Sequence, residues 1–97
     1  MENLSDNQPI RVVSIDDHAL IREAIQHIID PVEGIDLVGQ GVNGRAVYDL
    51  IEQHRPDVAI VDLQMPMDGE GGERFQATTA IRKMGESYPE TKIIILS

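Results

Sequence analysis

The sequence predicts an α/β domain, a parallel sheet with helices on both faces, and three observations predict it. Apolar runs rich in β-branched residues, "IRVVSI" (10–15), "IDLVG" (35–39), "DVAIVDL" (57–63) and "IIIL" (93–96), alternate with three stretches of helical periodicity. The third and fourth runs are nearly continuous in hydrophobicity, which suits strands buried on both faces of a parallel sheet. Strand and helix in strict alternation call for right-handed crossovers, and these place helices against the sheet.

Taken in order, residues 1–9 form a polar, acidic and flexible lead, after which residues 10–15 read as a buried strand closed by Asp16 and Asp17. From Ala19 onward, Ile21, Ala24, Ile25 and Ile28 lie at offsets of three, four and seven, one face of a helix. "DPVEG" (30–34) stops that helix, because Pro31 cannot continue the hydrogen-bond ladder and Gly34 is free to turn. A second strand covers 35–39. Asn43 and Gly44 open a second helix striped by Ala46, Val47, Leu50 and Ile51, which ends at His54 and Pro56. The third strand spans 57–63 between Pro56 and the Met65-Pro66 turn. Three glycines and three acids make "MDGEGGE" (67–73) a loop, and it contains no Lys and no phosphate-binding Walker pattern. A third helix carries Ala77, Ala80, Ile81 and Met84, "SYPETK" (87–92) breaks it, and 93–96 is a buried fourth strand ending at Ser97.

Composition bounds the function. The chain has 97 residues, the size of one domain, and is 41% hydrophobic and 26% charged, which argues against intrinsic disorder. Aromatic residues are limited to Tyr48, Phe75 and Tyr88, so aliphatic side chains and Met fill the core. A formal net charge of −9 repels phosphate backbones and anionic membranes and disfavours nucleic-acid binding by this chain itself. Without cysteine there is neither a disulfide framework nor a thiolate metal site, which suits the cytoplasm. The amino terminus lacks the charged and apolar regions of a secretion signal, and no apolar run is long enough to span a bilayer.

Ligands of open parallel sheets bind at the carboxyl ends of strands, where strand order reverses. Asp16 and Asp17 follow the first strand, Asp62 ends the third and Ser97 ends the fourth. In a flavodoxin-like order the first and third strands are neighbours, and the three carboxylates converge. Taken alone, adjacent aspartates after a strand are a solvated turn or a helix N-cap. Three converging carboxylates repel one another unless a cation sits between them, and the hard oxygen donors suit Mg²⁺ and phosphoryl chemistry. His18, His27 and His54 lack the spacing of a metal site and read as surface or packing residues.

These residues carry a resemblance. "VVSIDDHALIREAI", "DVAIVDLQMPMDG" and "IIILS" resemble the first, third and fourth strands of a response-regulator receiver domain, and the Asp-Asp-His-x-Leu-Ile-Arg-Glu run is similar to its NarL/LuxR-type subfamily. The resemblance implies a flavodoxin-like (CheY-like) sheet that is incomplete at four strands and three helices. Residues 10–97 would be a receiver domain lacking the usual final helix-strand-helix segment, including a Lys that pairs with the phosphoryl group. It also implies roles. Asp62 would be the phosphoacceptor, and Mg²⁺ would be held by Asp16, Asp17, Asp62 and the backbone carbonyl of Gln64. Ser97 would donate a hydrogen bond to the phosphoryl group and act as the switch. The side chain of Gln64 would stand near the acyl phosphate.

The implied partner is a sensor histidine kinase, DNA is met only through an output domain outside this chain, and no membrane is involved. The chain would accept its phosphoryl group without being a turnover enzyme. The loop "GEGGERFQ" (69–76) is longer than the family's usual spacing and sits where it could alter kinase docking. A pseudo-receiver that only binds proteins is the alternative function. A phosphohydrolase is less well supported, because Gln64 stands where an Asp-x-Asp acid would be. An exposed "IIIL" edge would favour a weakly stable monomer, or a homodimer or strand-exchanged dimer.

Overall fold

A computed structural model describes residues 8–68 and 72–96. The elements run β1 (Ile10–Ile15), α1 (Ala19–Ile29), β2 (Ile35–Gly41), α2 (Gly44–His54), β3 (Val58–Asp62), α3 (Ala77–Ser87) and β4 (Lys92–Leu96). All pairings are parallel and the sheet order is β2-β1-β3-β4, so the order reverses between β1 and β3. The chain steps from β1 to β2 in one direction and back across β1 to β3 in the other. Right-handed crossovers therefore place α1 on one face and α2 and α3 on the opposite one.

Alternation along β1 assigns each face its core. Val13 and Ile15 join Ala59, Val61, Val47, Ile51, Phe75, Ala80 and Met84 in one buried cluster beneath α2 and α3. Val12 and Ser14, equally buried, point the other way, toward α1. α2 is capped as its sequence predicts, the Asn43 side chain accepting from the Ala46 amide at 3.1 Å. It buries Val47 and Ile51 from the expected stripe.

Four expectations are corrected. β2 runs on to Gly41 because Val12 pairs with Leu37 and Val13 with Gly39, a bulge at Val38 that carries the strand across two glycines. Those glycines are where α2 crosses: a Cβ at Gly41 would overlap Ala46, and one at Gly39 would lie 3.2 Å from His54. β3 is shorter than the apolar run, since Asp57 and Leu63 fall outside its ladder. The predicted α1 face is rotated, with Ile29 buried, Ile25 half-buried and Ile28 69% exposed.

The fourth strand is not buried. β4 is an edge: Ile93 and Ile95 pack against the cluster, while Ile94 is 49% and Leu96 38% exposed. Ile94 pairs with Ile60 and Leu96 with Asp62, so the exposed pair lies on the α1 side of the sheet, beyond the reach of α1. A continuous apolar run specifies a strand that can be covered twice; whether it is covered depends on other elements.

Candidate phosphotransfer site

Asp16 leaves β1 with its amide still hydrogen-bonded to the Gly41 carbonyl at 3.1 Å, so the first strand's ladder fixes its position. Its carboxylate accepts from the His18 amide at 2.9 Å, and the Arg22 guanidinium holds its carbonyl at 2.8 Å. The N-cap of α1 is His18, which makes no side-chain cap. Asp16 thus closes a two-residue turn rather than capping the helix, and the cap-only reading of the acidic pair fails. Asp62 closes β3 one strand over, its Oδ1 accepting from the Gln64 amide at 3.2 Å.

Asp16, Asp17 and Asp62 converge as expected, and His18 joins them, one ligating atom of each lying within 4.8 Å of the others. Burial is graded: 6% of the Asp16 side chain is exposed, 13% of Asp62 and 35% of Asp17. Asp62 Oδ2 is buried with no hydrogen-bond partner among the described residues. Burial, and after it the Asp16 and Asp17 charges, push the Asp62 carboxyl above its ordinary value, opposed by the Gln64 amide. An unpartnered buried acceptor beside two further carboxylates is a hard-oxygen donor set that fits a small divalent cation such as Mg²⁺.

His18 was not expected here. Its Nδ1 lies 2.8 Å from Asp16 Oδ1, 3.2 Å from Asp17 Oδ1 and 3.9 Å from Asp62 Oδ2. The Asp16 hydrogen bond, followed by the Asp17 charge, raises its pKa. Its ring is 66% exposed, so the surface reading holds in part, but it faces the acidic cluster. The signal for its place is its adjacency to Asp17, since spacing among the three histidines alone points to no site. His27 and His54 take no part in the cluster. Gln64 borders the cleft above Asp17 and His18. Ser97 lies outside the described residues.

On either side of residues 69–71, the described residues after Asp62 are tied to one another. Pro66 and Arg74 form an antiparallel bridge, the Met67 amide donates to Glu73 at 3.0 Å, and the Phe75 amide donates to Met65 at 3.0 Å. This short hairpin is fixed to the start of α2: the Gly44 amide donates to Pro66 and the Arg45 amide to Met67, at 2.9 and 2.8 Å. The Arg45 guanidinium pairs with Asp68 at 2.6 Å. A Cβ on Gly44 would meet Phe75 at 2.5 Å, so glycine lets the buried ring seat on the helix. Residues 69–71 of the predicted loop lie outside the described residues.

The family model "Response regulator receiver domain" matches residues 12–97. The oxygen regulatory protein NreC of Staphylococcus epidermidis is 40% identical over 88 residues, 91% of this chain and 38% of that protein. The transcriptional regulatory protein DegU of Brevibacillus brevis is 31% identical over 96 residues, 99% of this chain and 37% of that protein. The chain thus spans little more than a third of these curated relatives. Among solved structures, the signal receiver domain of NarL from Mycobacterium tuberculosis is 34% identical with a TM-score of 0.70, covering 91% of this chain and 65% of that one. The non-phosphorylated receiver domain of RcsB from Escherichia coli is 26% identical with a TM-score of 0.78, covering 93% and 66%.

Proposed function

The chain belongs to the response regulator receiver domain family, and from that premise we propose that Asp62 is a phosphoacceptor charged by a sensor histidine kinase. The supporting observation is the buried, unpartnered Asp62 Oδ2 at the carboxyl end of β3, facing Asp16 and Asp17. A carboxylate oxygen of Asp62 attacks the phosphorus of a phosphohistidine; the P–N bond breaks, the imidazole leaves with its electron pair, and an acyl phosphate forms. Asp16, Asp17, Asp62 and the Gln64 carbonyl would hold Mg²⁺, which when bound would supply positive charge for the phosphoryl oxygens. Ser97 hydrogen-bonds the phosphoryl group and passes its arrival to the surrounding loops.

The chain, residues 10–97 of which form the receiver, is charged once per cycle and does not turn over substrate. It works in the cytoplasm and governs transcription through an output domain outside these residues. DegU is named a transcriptional regulator, and RcsB has been solved bound to promoter DNA. The exposed apolar side chains of Ile94 and Leu96 on β4 support self-association as a homodimer or strand-exchanged dimer.

The test is intact-mass measurement after incubation with Mg²⁺ and acetyl phosphate. One phosphoryl group on the native chain, and none on Asp62→Asn or in the presence of a chelator, is expected. A protein-binding pseudo-receiver is the second reading, favoured by the hairpin that walls the site. It predicts no uptake on either chain and no saturable Mg²⁺ signal.

A further inference from the structure

A cleft of about 310 Å³ borders the acidic cluster at Asp17 and His18, and its opposite wall is formed by Met65, Pro66 and residues 72–74. Asp17, His18, Gln64, Glu73 and Arg74 are its polar residues. The backbone of Arg74 is pinned opposite Pro66 by the antiparallel bridge, and Phe75, the next residue, is buried against Gly44. Arg74 therefore stands at a fixed place on the rim although its side chain is solvent-exposed. It also borders the neighbouring cleft lined by Tyr48 and Thr79, so it forms the ridge between the two. Among the described residues it has no ion-pair partner, whereas Arg45, in the first turn of α2, is paired to Asp68.

We infer that Arg74 binds the anionic phosphoryl donor as it enters this cleft. The inference rests on the phosphoacceptor reading of Asp62 and deepens it. A dianionic donor approaching an acidic floor meets repulsion even with a divalent cation bound, because Glu73 and Asp17 also border the cleft. A guanidinium is permanently charged and presents a planar fork of donors that matches phosphoryl oxygens. Arg74 holds two oxygens of the donor while Asp62 attacks phosphorus. The bond from phosphorus to the leaving group breaks, and for acetyl phosphate the acetate departs with the electron pair. Arg74 takes no proton and forms no bond. It is a donor-binding residue whose place depends on the hairpin.

The test uses the whole 97-residue chain with acetyl phosphate and saturating Mg²⁺. The second-order rate of phosphoryl uptake is followed by intact mass, and Mg²⁺ affinity is measured separately by calorimetry. Arg74→Ala should slow uptake about five- to tenfold, the scale on which one exposed charge alters the capture of an anion. Arg74→Lys should recover much of the loss, and the difference should shrink at high salt. Mg²⁺ affinity should hold or rise in Arg74→Ala, since removing a cation near a cation site cannot weaken it electrostatically. A hairpin merely loosened by the substitution would weaken donor and Mg²⁺ together, and that result overturns the inference. Unchanged uptake in Arg74→Ala overturns it while leaving the Asp62 reading intact. Absence of uptake by the native chain overturns both.

Discussion

Replacing Asp62 with asparagine should stabilise the metal-free chain at neutral pH, although it abolishes the proposed function. The ligating atoms of Asp16, Asp17 and Asp62 lie within 4.8 Å of one another. Two full charges at that distance repel by about 3.5 kcal/mol at an effective dielectric of ~20 and by under ~1 kcal/mol in water. Asp17 is 35% exposed and its share is screened, and His18 offsets part of the remainder. Asp62 Oδ2 adds the cost of a buried acceptor without a partner. A net gain of about 1–2 kcal/mol is expected, roughly a 1 M rise in urea midpoint for a chain this size.

The pH dependence has a definite sign. Burial and like charge raise the folded-state pKa of Asp62 above 3.8, so the folded chain binds the proton more tightly than the unfolded one. Stability contributed at this site falls as pH rises from 3.8 through the raised value, and the advantage of Asp62→Asn is confined to pH above that window. Mg²⁺ at ten times its dissociation constant should add about 1.4 kcal/mol to the native chain and less to the variant, closing the gap. Urea melts with chelator and with Mg²⁺, at neutral pH and near pH 3, measure all of this. An Asp62→Asn chain that is less stable than native without metal at neutral pH would refute the reasoning.

Other outcomes follow from the same geometry. In the metal-free chain, NMR titration should place the His18 pKa above 6.5, and Asp16→Asn should lower it. The stabilising ion pair is complete below the unfolded value and is lost as pH rises through the folded one, so a His18 pKa at or below 6.5 would contradict the contact. Gly44→Ala should cost about 1–3 kcal/mol by driving a methyl into the buried Phe75, despite alanine's better helix propensity. Phe75→Leu should relieve part of that cost in the double variant; strictly additive losses in thermal melts would show that the two do not touch. Ile94→Lys places a charge on the exposed side of the edge strand and should shift sedimentation equilibrium toward monomer, and identical profiles for both chains would remove β4 from any self-association.

Much of this fold was legible because its signals are local. The strands are short apolar runs between breakers, α2 begins at a capping Asn43, and strand-helix alternation leaves few topologies open. The meeting of Asp16, Asp17 and Asp62 followed from strand order alone. What escaped the sequence depends on pairs distant along the chain. Ile94 and Leu96 look as apolar as Ile93 and Ile95, and only the placement of covering helices separates them. Gly39 and Gly41 read as the end of a strand, yet they are small because α2 crosses them. The bridge between Pro66 and Arg74 was hidden because the glycines between them announce a loop, while Pro66 and Met67 are held by the amides of Gly44 and Arg45 far upstream. His18 carries no signal in its spacing to His27 and His54; its role shows only in its adjacency to Asp16 and Asp17, whose carboxylates the fold turns toward its ring.

The central claim is that one particular carboxylate accepts the phosphoryl group, and reductive trapping tests it most directly. The chain is charged with acetyl phosphate and Mg²⁺, the acyl phosphate is reduced with borohydride to convert the modified aspartate to homoserine, and peptides are sequenced by mass spectrometry. Homoserine at position 62, and at neither position 16 nor 17, is the predicted result. Homoserine at another aspartate, or at none while intact mass shows a phosphoryl group, would contradict it.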